Sequence, residues 1–254
     1  MKRLLLLGGM TPDASKLYYD ALNRAARAAL GGRHTAPCYV YSADLETMVG
    51  HAGAGDWDAF GQVYADAIDA LAGRVDGVVV CAILPHKVSA RLARALAPTG
   101  VPLLHIADCL ARHLRARHPR VRTLGLLGPG VTMRDADDPD FFLGRLRGPG
   151  HGFEVLVPAS DAGRDEVDRG MLGEVARGAA AVTPRTKAMF VRHARELARR
   201  GAQAIVLGST DLGFVLRQED LDDGIIVVDP ASVHADEAAR WALGELTATS
   251  DVSG

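Results

Sequence analysis

Two segments of this chain place a reactive side chain at the end of a short apolar run. One segment, 77–86, carries the thiol of Cys81, and the other, 204–212, carries the hydroxyl of Ser209. A thiol has an unperturbed pKa of about 8.5, so neighbours can tune it to act as an acid or a base near neutral pH. A serine hydroxyl needs an activating group for the same work, and Asp211 can supply one only if the two side chains converge. If the two segments face each other across a cleft, the difference between a thiol and a hydroxyl decides which chemistry the protein can do.

The composition limits the protein class that these segments can belong to. The chain has 254 residues, of which 48% are hydrophobic and 24% charged, and its net charge is -2. This balance predicts one large or two smaller globular cores and gives no electrostatic footprint for nucleic acid. The apolar run at 4–7 is too short for a signal peptide or a membrane span, so we expect a cytoplasmic protein.

The cysteines argue against two common structural devices. Cys38, Cys81 and Cys109 are odd in number and lack a CxxC spacing. This pattern favours neither a disulfide framework nor a zinc site. We therefore expect free thiols and no bound metal, and we interpret Cys38 and Cys109 as structural. The acidic cluster at 135–140 lacks calcium-loop spacing and is interpreted as a mobile loop.

Strand-length apolar runs alternate with segments of helical period. Strands are predicted at 3–7, 38–41, 77–81, 102–105, 122–127, 153–157, 204–207 and 225–228. Helices are predicted at 13–30, 57–72, 87–97, 185–200 and 233–245, with Thr11 and Asp56 as caps of the first two. Continuous apolar strands separated by helices are typical of an α/β fold with doubly wound parallel sheets.

The two halves of the chain repeat one another. The segment 4–11 parallels 124–132, and the strand at 102–105 is matched by that at 225–228. We therefore predict two similar α/β domains related by pseudo-symmetry, one comprising 1–112 with 234–254 and the other 113–233. Ligands of open α/β sheets lie at the carboxyl ends of strands. The active site is accordingly expected in the cleft between the domains.

Several ordered motifs resemble those of the aspartate/glutamate racemase superfamily, in particular its aspartate racemase and amino-acid racemase branch. They are Leu7-Gly8-Gly9-Met10-Thr11, Tyr41-Ser42-Ala43-Asp44-Leu45, Cys81 with His86-Lys87, Leu104-His105-Ile106-Ala107-Asp108, Leu127-Gly128 with Thr132-Met133, and Gly208-Ser209-Thr210-Asp211. The resemblance extends from about residue 3 to about residue 240. It implies the two-domain fold, catalysis without a cofactor, and a homodimer that binds a small carboxylate or amino acid.

The resemblance also assigns proton-transfer roles, and this chain departs from them. Cys81 resembles the first catalytic cysteine of the family, whereas Ser209 stands at the position of the second. Ala82-Ile83-Leu84 replaces a polar Thr-Asn-Thr segment, which predicts a substrate with an apolar or bulkier portion beside Cys81. Symmetric two-cysteine racemisation of aspartate is therefore not expected.

The remaining candidates are substrate-binding residues. The threonine hydroxyls are expected to hold a carboxylate with help from backbone amides, Lys187 to pair with it, and His86 or His234 to orient a thiol or bind the carboxylate. The complete predicted set comprises Met10, Thr11, Ile83, Thr132, Lys187, Thr210 and His234.

Three functions remain open at the sequence level. The first is a Cys81-dependent isomerase, a racemase or epimerase of an amino acid or a related acid. The second is a decarboxylase or other lyase in which Cys81 donates a proton to one face of an enediolate. The third is a non-catalytic protein that binds a small carboxylate.

Overall fold

The computed structural model describes residues 1–222 and 224–246, which divide into two compact units. The first unit comprises Met1–Cys109 and the chain from Ala231 onward, and the second comprises Leu110–Pro230. Each unit contains its own sheet and flanking helices.

The strands and helices alternate along the chain. The strands are β1 (Leu4–Gly8), β2 (Cys38–Ser42), β3 (Gly77–Val80), β4 (Leu103–Leu104), β5 (Thr123–Leu127), β6 (Glu154–Leu156), β7 (Ala204–Leu207) and β8 (Ile226–Val228). The α-helices are α1 (Pro12–Leu30), α2 (Leu45–Ala54), α3 (Trp57–Leu71), α4 (Ser89–Leu96), α5 (Ile106–Arg117), α6 (Gly130–Arg134), α7 (Phe142–Arg147), α8 (Asp161–Gly173), α9 (Pro184–Arg199) and α10 (Pro230–Ala242).

The two sheets have the same topology. The strand order is β2-β1-β3-β4 in the first unit and β6-β5-β7-β8 in the second. Every strand pair is parallel. The predicted α/β class and the predicted pair of similar parallel-sheet domains are confirmed.

The central strand β1 is apolar on both faces because helices cover both faces of the first sheet. In β1, Leu5 and Leu7 join a cluster with residues of α3 and α4, whereas Leu4 and Leu6 join a cluster with residues of α1 and α10. All four leucines are at most 1% exposed. Burying a leucine side chain contributes roughly 1.5–3 kcal/mol, so this alternation fixes which face each residue occupies.

Helix starts follow the predicted cap residues. Thr11 Oγ1 accepts a hydrogen bond from Ala14 N at the start of α1, and Asp56 Oδ1 accepts one from Ala59 N at the start of α3. Both predicted caps are confirmed. In the described part of the chain, no helix is long and apolar enough to cross a membrane.

Candidate functional site

The same backbone hydrogen bond occurs at the end of β3 in the first unit and at the end of β7 in the second. In the first unit, Cys81 N donates to Leu7 O at 2.8 Å, and in the second, Gly208 N donates to Leu127 O at 2.6 Å. Leu7 precedes Gly8, the last residue of β1, and Leu127 precedes Gly128, which follows β5. The strand registers agree, since Leu7 pairs with Val80 and Leu127 with Leu207.

The sequence suggested that Cys81 corresponds to Ser209. The register shifts this correspondence between the units by one residue. Cys81 corresponds to Gly208, and Ala82 corresponds to Ser209. The alternation of faces supports the same pairing, because Val80 and Leu207 both lie in the helix-covered cluster on one face and Cys81 lies in the cluster on the other. The side chain equivalent to the Ser209 hydroxyl is therefore the methyl group of Ala82.

Cys81 itself packs in the core of the first unit. Its side chain belongs to the cluster that includes Tyr18, Val79 and Ala235, and it is 1% exposed. Burial, with a smaller contribution from the nearby Cys38, raises the pKa of the Cys81 thiol well above its usual range. The thiol is therefore protonated at neutral pH and, at 1% exposure in the core, it is neither a ready base nor an accessible acid.

The turn after β3 is apolar and buried. Ala82 and Ile83 are 7% and 3% exposed, and a short 3₁₀ helix begins at Leu84. His86 Nδ1 lies 2.9 Å from Ala82 O, and Ile106 N donates to His86 Nε2 at 3.2 Å. The structure thus places Ile83, a predicted substrate-binding residue, on a turn that is attached to the start of α5.

On the second unit, Ser209 occupies the N-cap of a 3₁₀ helix that runs from Thr210 to Phe214. Ser209 Oγ accepts a hydrogen bond from Asp211 N at 3.3 Å. All three residues from Ser209 to Asp211 are partly exposed. The contact between Ser209 and Asp211 thus involves the Asp211 backbone, and the serine O–H proton is free to be donated in another direction.

Met10 and Thr11 follow β1, the strand next to β3. Both are partly exposed. Thr11 Oγ1 caps α1, and Thr11 O accepts hydrogen bonds from the amide and the hydroxyl of Ser15. The structure brings these two residues to the same sheet edge as Ile83, because adjacent parallel strands end at one edge.

Three further predicted substrate-binding residues lie elsewhere. Thr132 is in α6, which follows β5, so it lies at the same edge of the second sheet as Ser209. It is 1% exposed. Lys187, in the first turns of α9, forms an ion pair with Asp220 at 2.8 Å. His234, in α10, is fully buried, with Nε2 2.8 Å from Leu104 O and Nδ1 2.9 Å from Tyr18 Oη.

The structure adds polar groups that the sequence did not identify as site residues. His105 is 4% exposed and lies edge-to-face on His86, with ring centroids 4.5 Å apart. Tyr64, from α3, is fully buried and donates to Gly8 O at 3.2 Å. Burial, with Cys81 and Tyr41 nearby, raises the pKa of Tyr64, so its phenol stays protonated. The sequence signals for His105 were its place at the end of the predicted strand 102–105 and its membership of the motif Leu104-His105-Ile106-Ala107-Asp108.

Among the described residues, no group of three or more His, Cys, Asp or Glu side chains is arranged to hold a metal ion. The polar groups at the strand ends are hydroxyls, backbone amides and buried histidine rings. Such groups can hold a carboxylate and donate protons to it. Together with the two parallel sheets, they define the class: an α/β protein with a candidate small-carboxylate site at its strand ends.

Comparison with known proteins identifies the family. The model of the Asp/Glu/Hydantoin racemase family matches residues 7–238. A protein from Yersinia pestis assigned as an Asp/Glu racemase is 32% identical, with a TM-score of 0.84 over 96% of this chain and 100% of that one. The chain belongs to the Asp/Glu/Hydantoin racemase family.

Two further structures are similar. An aspartate racemase homologue from Pyrococcus horikoshii OT3 is 26% identical, with a TM-score of 0.75 over 96% of this chain and 100% of that one. The aspartate racemase of Picrophilus torridus is 16% identical, with a TM-score of 0.69 over 96% of this chain and 95% of that one, and it shows the shared fold.

Proposed function

We propose that this protein is a cofactor-independent racemase-type isomerase that moves a proton at the carbon next to a carboxylate. Its substrate would be an amino acid or a related acid. The strongest support is the family match over residues 7–238 in a chain whose β3 and β7 end in equivalent turns. The homodimer and the cytoplasmic location expected from the sequence are parts of the same proposal.

Cys81 and Ser209 have different roles in the proposal. Burial raises the pKa of the Cys81 thiol and keeps it protonated, and the thiol lies in the core cluster, so a donor role for Cys81 requires that the substrate reach the core side of β3. Ser209 is proposed as a hydrogen-bond donor to the substrate carboxylate or to its enediolate, because its oxygen already accepts from Asp211 N. Two-thiol exchange is not part of the proposal.

Substrate recognition would come from the strand-end turns. The hydroxyls of Thr11, Thr132 and Thr210 are proposed to hold the carboxylate, and Met10 and Ile83 to contact an apolar part of the substrate. Lys187 would have to leave its ion pair with Asp220 to bind the substrate. His234 would have to leave its contacts with Leu104 O and Tyr18 Oη.

A lyase is the second candidate, and the protonated state of Cys81 favours it. In a decarboxylation, the bond between the α carbon and one carboxylate breaks, carbon dioxide leaves, and the electron pair remains as an enediolate. The Cys81 thiol would then protonate that carbon from one face, and solvent would return a proton to the thiolate. Only one acid is needed, whereas racemisation needs a proton-transfer group on each face of the carbon.

The test is proton exchange measured by mass spectrometry and chiral chromatography. The protein is incubated in heavy water with a panel of amino acids and malonate-type acids. Inversion with deuterium at the α carbon supports the isomerase, and release of carbon dioxide with one deuterium added supports the lyase. Absence of both for every compound, with saturable binding of one of them, would leave only a binding function.

Variants then assign the residues. Cys81→Ala is expected to abolish turnover if the thiol is the donor, while Ser209→Ala is expected to raise KM and lower kcat. Lys187→Met and His234→Gln test the proposed contacts of these two residues with the substrate. Full turnover in Cys81→Ala would show that the thiol is a packing residue.

A further inference from the structure

We propose that His86 is the positioning residue for the turn after β3, which it holds in place as a neutral ring protonated at Nδ1. The proposal rests on the function proposed above, since it takes the turn at Ala82 and Ile83 as part of the substrate site. Three observations support it: the identity of the two hydrogen-bond partners, the burial of the ring, and the position of those partners in the fold.

The partners of His86 fix its tautomer. Ala82 O can only accept a hydrogen bond, so the Nδ1 atom at 2.9 Å must carry a proton. Ile106 N–H can only donate, so Nε2 at 3.2 Å must present its lone pair. A doubly protonated ring would place two N–H groups against each other at Ile106, and the opposite tautomer would lose both bonds.

Packing fixes the orientation of the ring. His86 is fully buried, and the ring of His105 lies edge-to-face against it. The ring of His234 lies on another side, with centroids 5.8 Å apart, and is itself attached to Leu104 O and Tyr18 Oη. His105 is held as well, since its Nδ1 accepts from Ala107 N at 3.1 Å.

The two partners of His86 belong to different elements of one sheet edge. Ala82 lies two residues beyond β3, and Ile106 begins α5 directly after β4. His86 therefore connects the ends of two neighbouring strands at the position where Ala82 corresponds to Ser209. Loss of the link would free the turn that carries Ala82 and Ile83, and a displacement of about 1 Å at a reacting site costs roughly 100-fold in rate.

Two substitutions distinguish the effect of the His86 hydrogen bonds from the effect of its side-chain volume. His86→Gln retains one donor and one acceptor, whereas His86→Leu retains volume and loses both. The ring tautomer is read from the nitrogen resonances of histidine labelled with ¹⁵N, and the link from the hydrogen-exchange rate of the Ile106 amide. The Cys109 amide, which donates to His105 O at 3.1 Å in the same helix, is the internal reference.

We expect a ring protonated at Nδ1 and a protected Ile106 amide in the wild type. His86→Leu should lose protection at Ile106 but not at Cys109 and lower kcat/KM roughly 100-fold, while His86→Gln should restore protection and most of the rate. His193→Leu is the matched control, because His193 is a 5% exposed histidine of the second unit. It should lower stability without changing Ile106 exchange.

The proposal is overturned by a ring protonated at Nε2, by unchanged Ile106 exchange in His86→Leu, or by equal behaviour of His86→Leu and His86→Gln. The tautomer and exchange measurements need no substrate, so they decide the matter even where the wild type turns nothing over. Turnover that persists undiminished in His86→Leu would overturn the positioning role and leave the proposed function standing.

Discussion

Ala82 in the first unit occupies the backbone position that Ser209 occupies in the second. Ala82 follows Cys81, whose amide donates to Leu7 O in β1. Ser209 follows Gly208, whose amide donates to Leu127 O in β5. The thiol of Cys81 is thus one residue away from the position equivalent to Ser209, and it lies on the core side of the strand.

Thiols at the two equivalent positions are expected to create or raise racemisation. A correctly placed general acid or base contributes about 10²–10⁴-fold, so Ala82→Cys combined with Ser209→Cys should exceed the wild-type rate of inversion by roughly 100-fold. Ser209→Cys alone should gain less. The rate is measured by chiral chromatography of the amino acid that the heavy-water panel identifies.

The control for this gain is the same pair of substitutions with Cys81→Ala added. We expect the gain to persist without Cys81, because its side chain occupies the other face of the strand. A gain that Ser209→Cys achieves alone, and that Cys81→Ala then removes, would identify Cys81 as the partner of residue 209 and contradict the register argument.

The Cys81 thiol is expected to resist alkylation in the folded protein. Burial raises its pKa, so the reactive thiolate is scarce at neutral pH, and the half-buried Cys38 should be modified first. Peptide mass spectrometry after a timed reaction with iodoacetamide gives the order. Rapid modification of Cys81 at pH 7, before Cys38, would show that solvent reaches the thiol.

Gly128→Ala is expected to disturb Ser209 through the backbone. A Cβ at residue 128 would lie 2.8 Å from both Cα and O of Gly208, and backbone at the end of β7 cannot yield as a flexible side chain does. Overpacking of this kind costs about 1–3 kcal/mol, measured as the free energy of unfolding in urea.

Gly173→Ala is the matched control for that substitution. A Cβ at residue 173 meets nothing within 4 Å, and the residue ends α8. We expect its free energy of unfolding to change by less than about 1 kcal/mol. Equal destabilisation by both substitutions would mean that the contact between Gly128 and Gly208 is not the cause.

Asp220→Asn is expected to destabilise the protein at pH 7 and not in acid. Burial alone would raise the pKa of Asp220, but hydrogen bonds from Lys187 and the Arg217 amide, with the charge of Lys187, lower it. A lowered pKa stabilises the folded state above the ordinary Asp value of 3.8, and that contribution disappears as the pH falls through the folded-state pKa.

The expected size is about 1 kcal/mol at pH 7, because the Lys187 side chain is 44% exposed and solvent screens the pair. Urea unfolding of wild type and Asp220→Asn at pH 7 and near pH 3 gives the difference at each pH. A difference that stays constant between the two would attribute the effect to packing and not to charge.

Much of the fold was predictable because it depends on local patterns. Continuous apolar runs predicted every strand to within two residues at either end, and the Thr11 and Asp56 caps were predicted from residue type alone. The helix α2 was not predicted. Its sequence is apolar and contains two glycines, and Met48 is its only residue below 9% exposure, so its amphipathic period is weak.

Side-chain direction was less predictable at the ends of strands. The sequence placed Cys81 and Ser209 at matching ends, because each follows an apolar run and the intervening Gly208 resembles part of a turn. A shift of one residue reverses the face that a side chain occupies. The sequence pattern therefore placed the Cys81 thiol in the site, whereas the structure places it in the core. The backbone bonds to Leu7 and Leu127 fix the register.

The sequence by itself determined the α/β class, the repeat of two four-stranded parallel units and the family, because these depend on residue patterns that extend over many positions. Only the tertiary structure decided that Ala82 is the counterpart of Ser209, that Cys81 is buried, and that His86 connects Ala82 to Ile106. Register, burial and the partners of a ring are set by residues distant in the chain, and no local pattern encodes them.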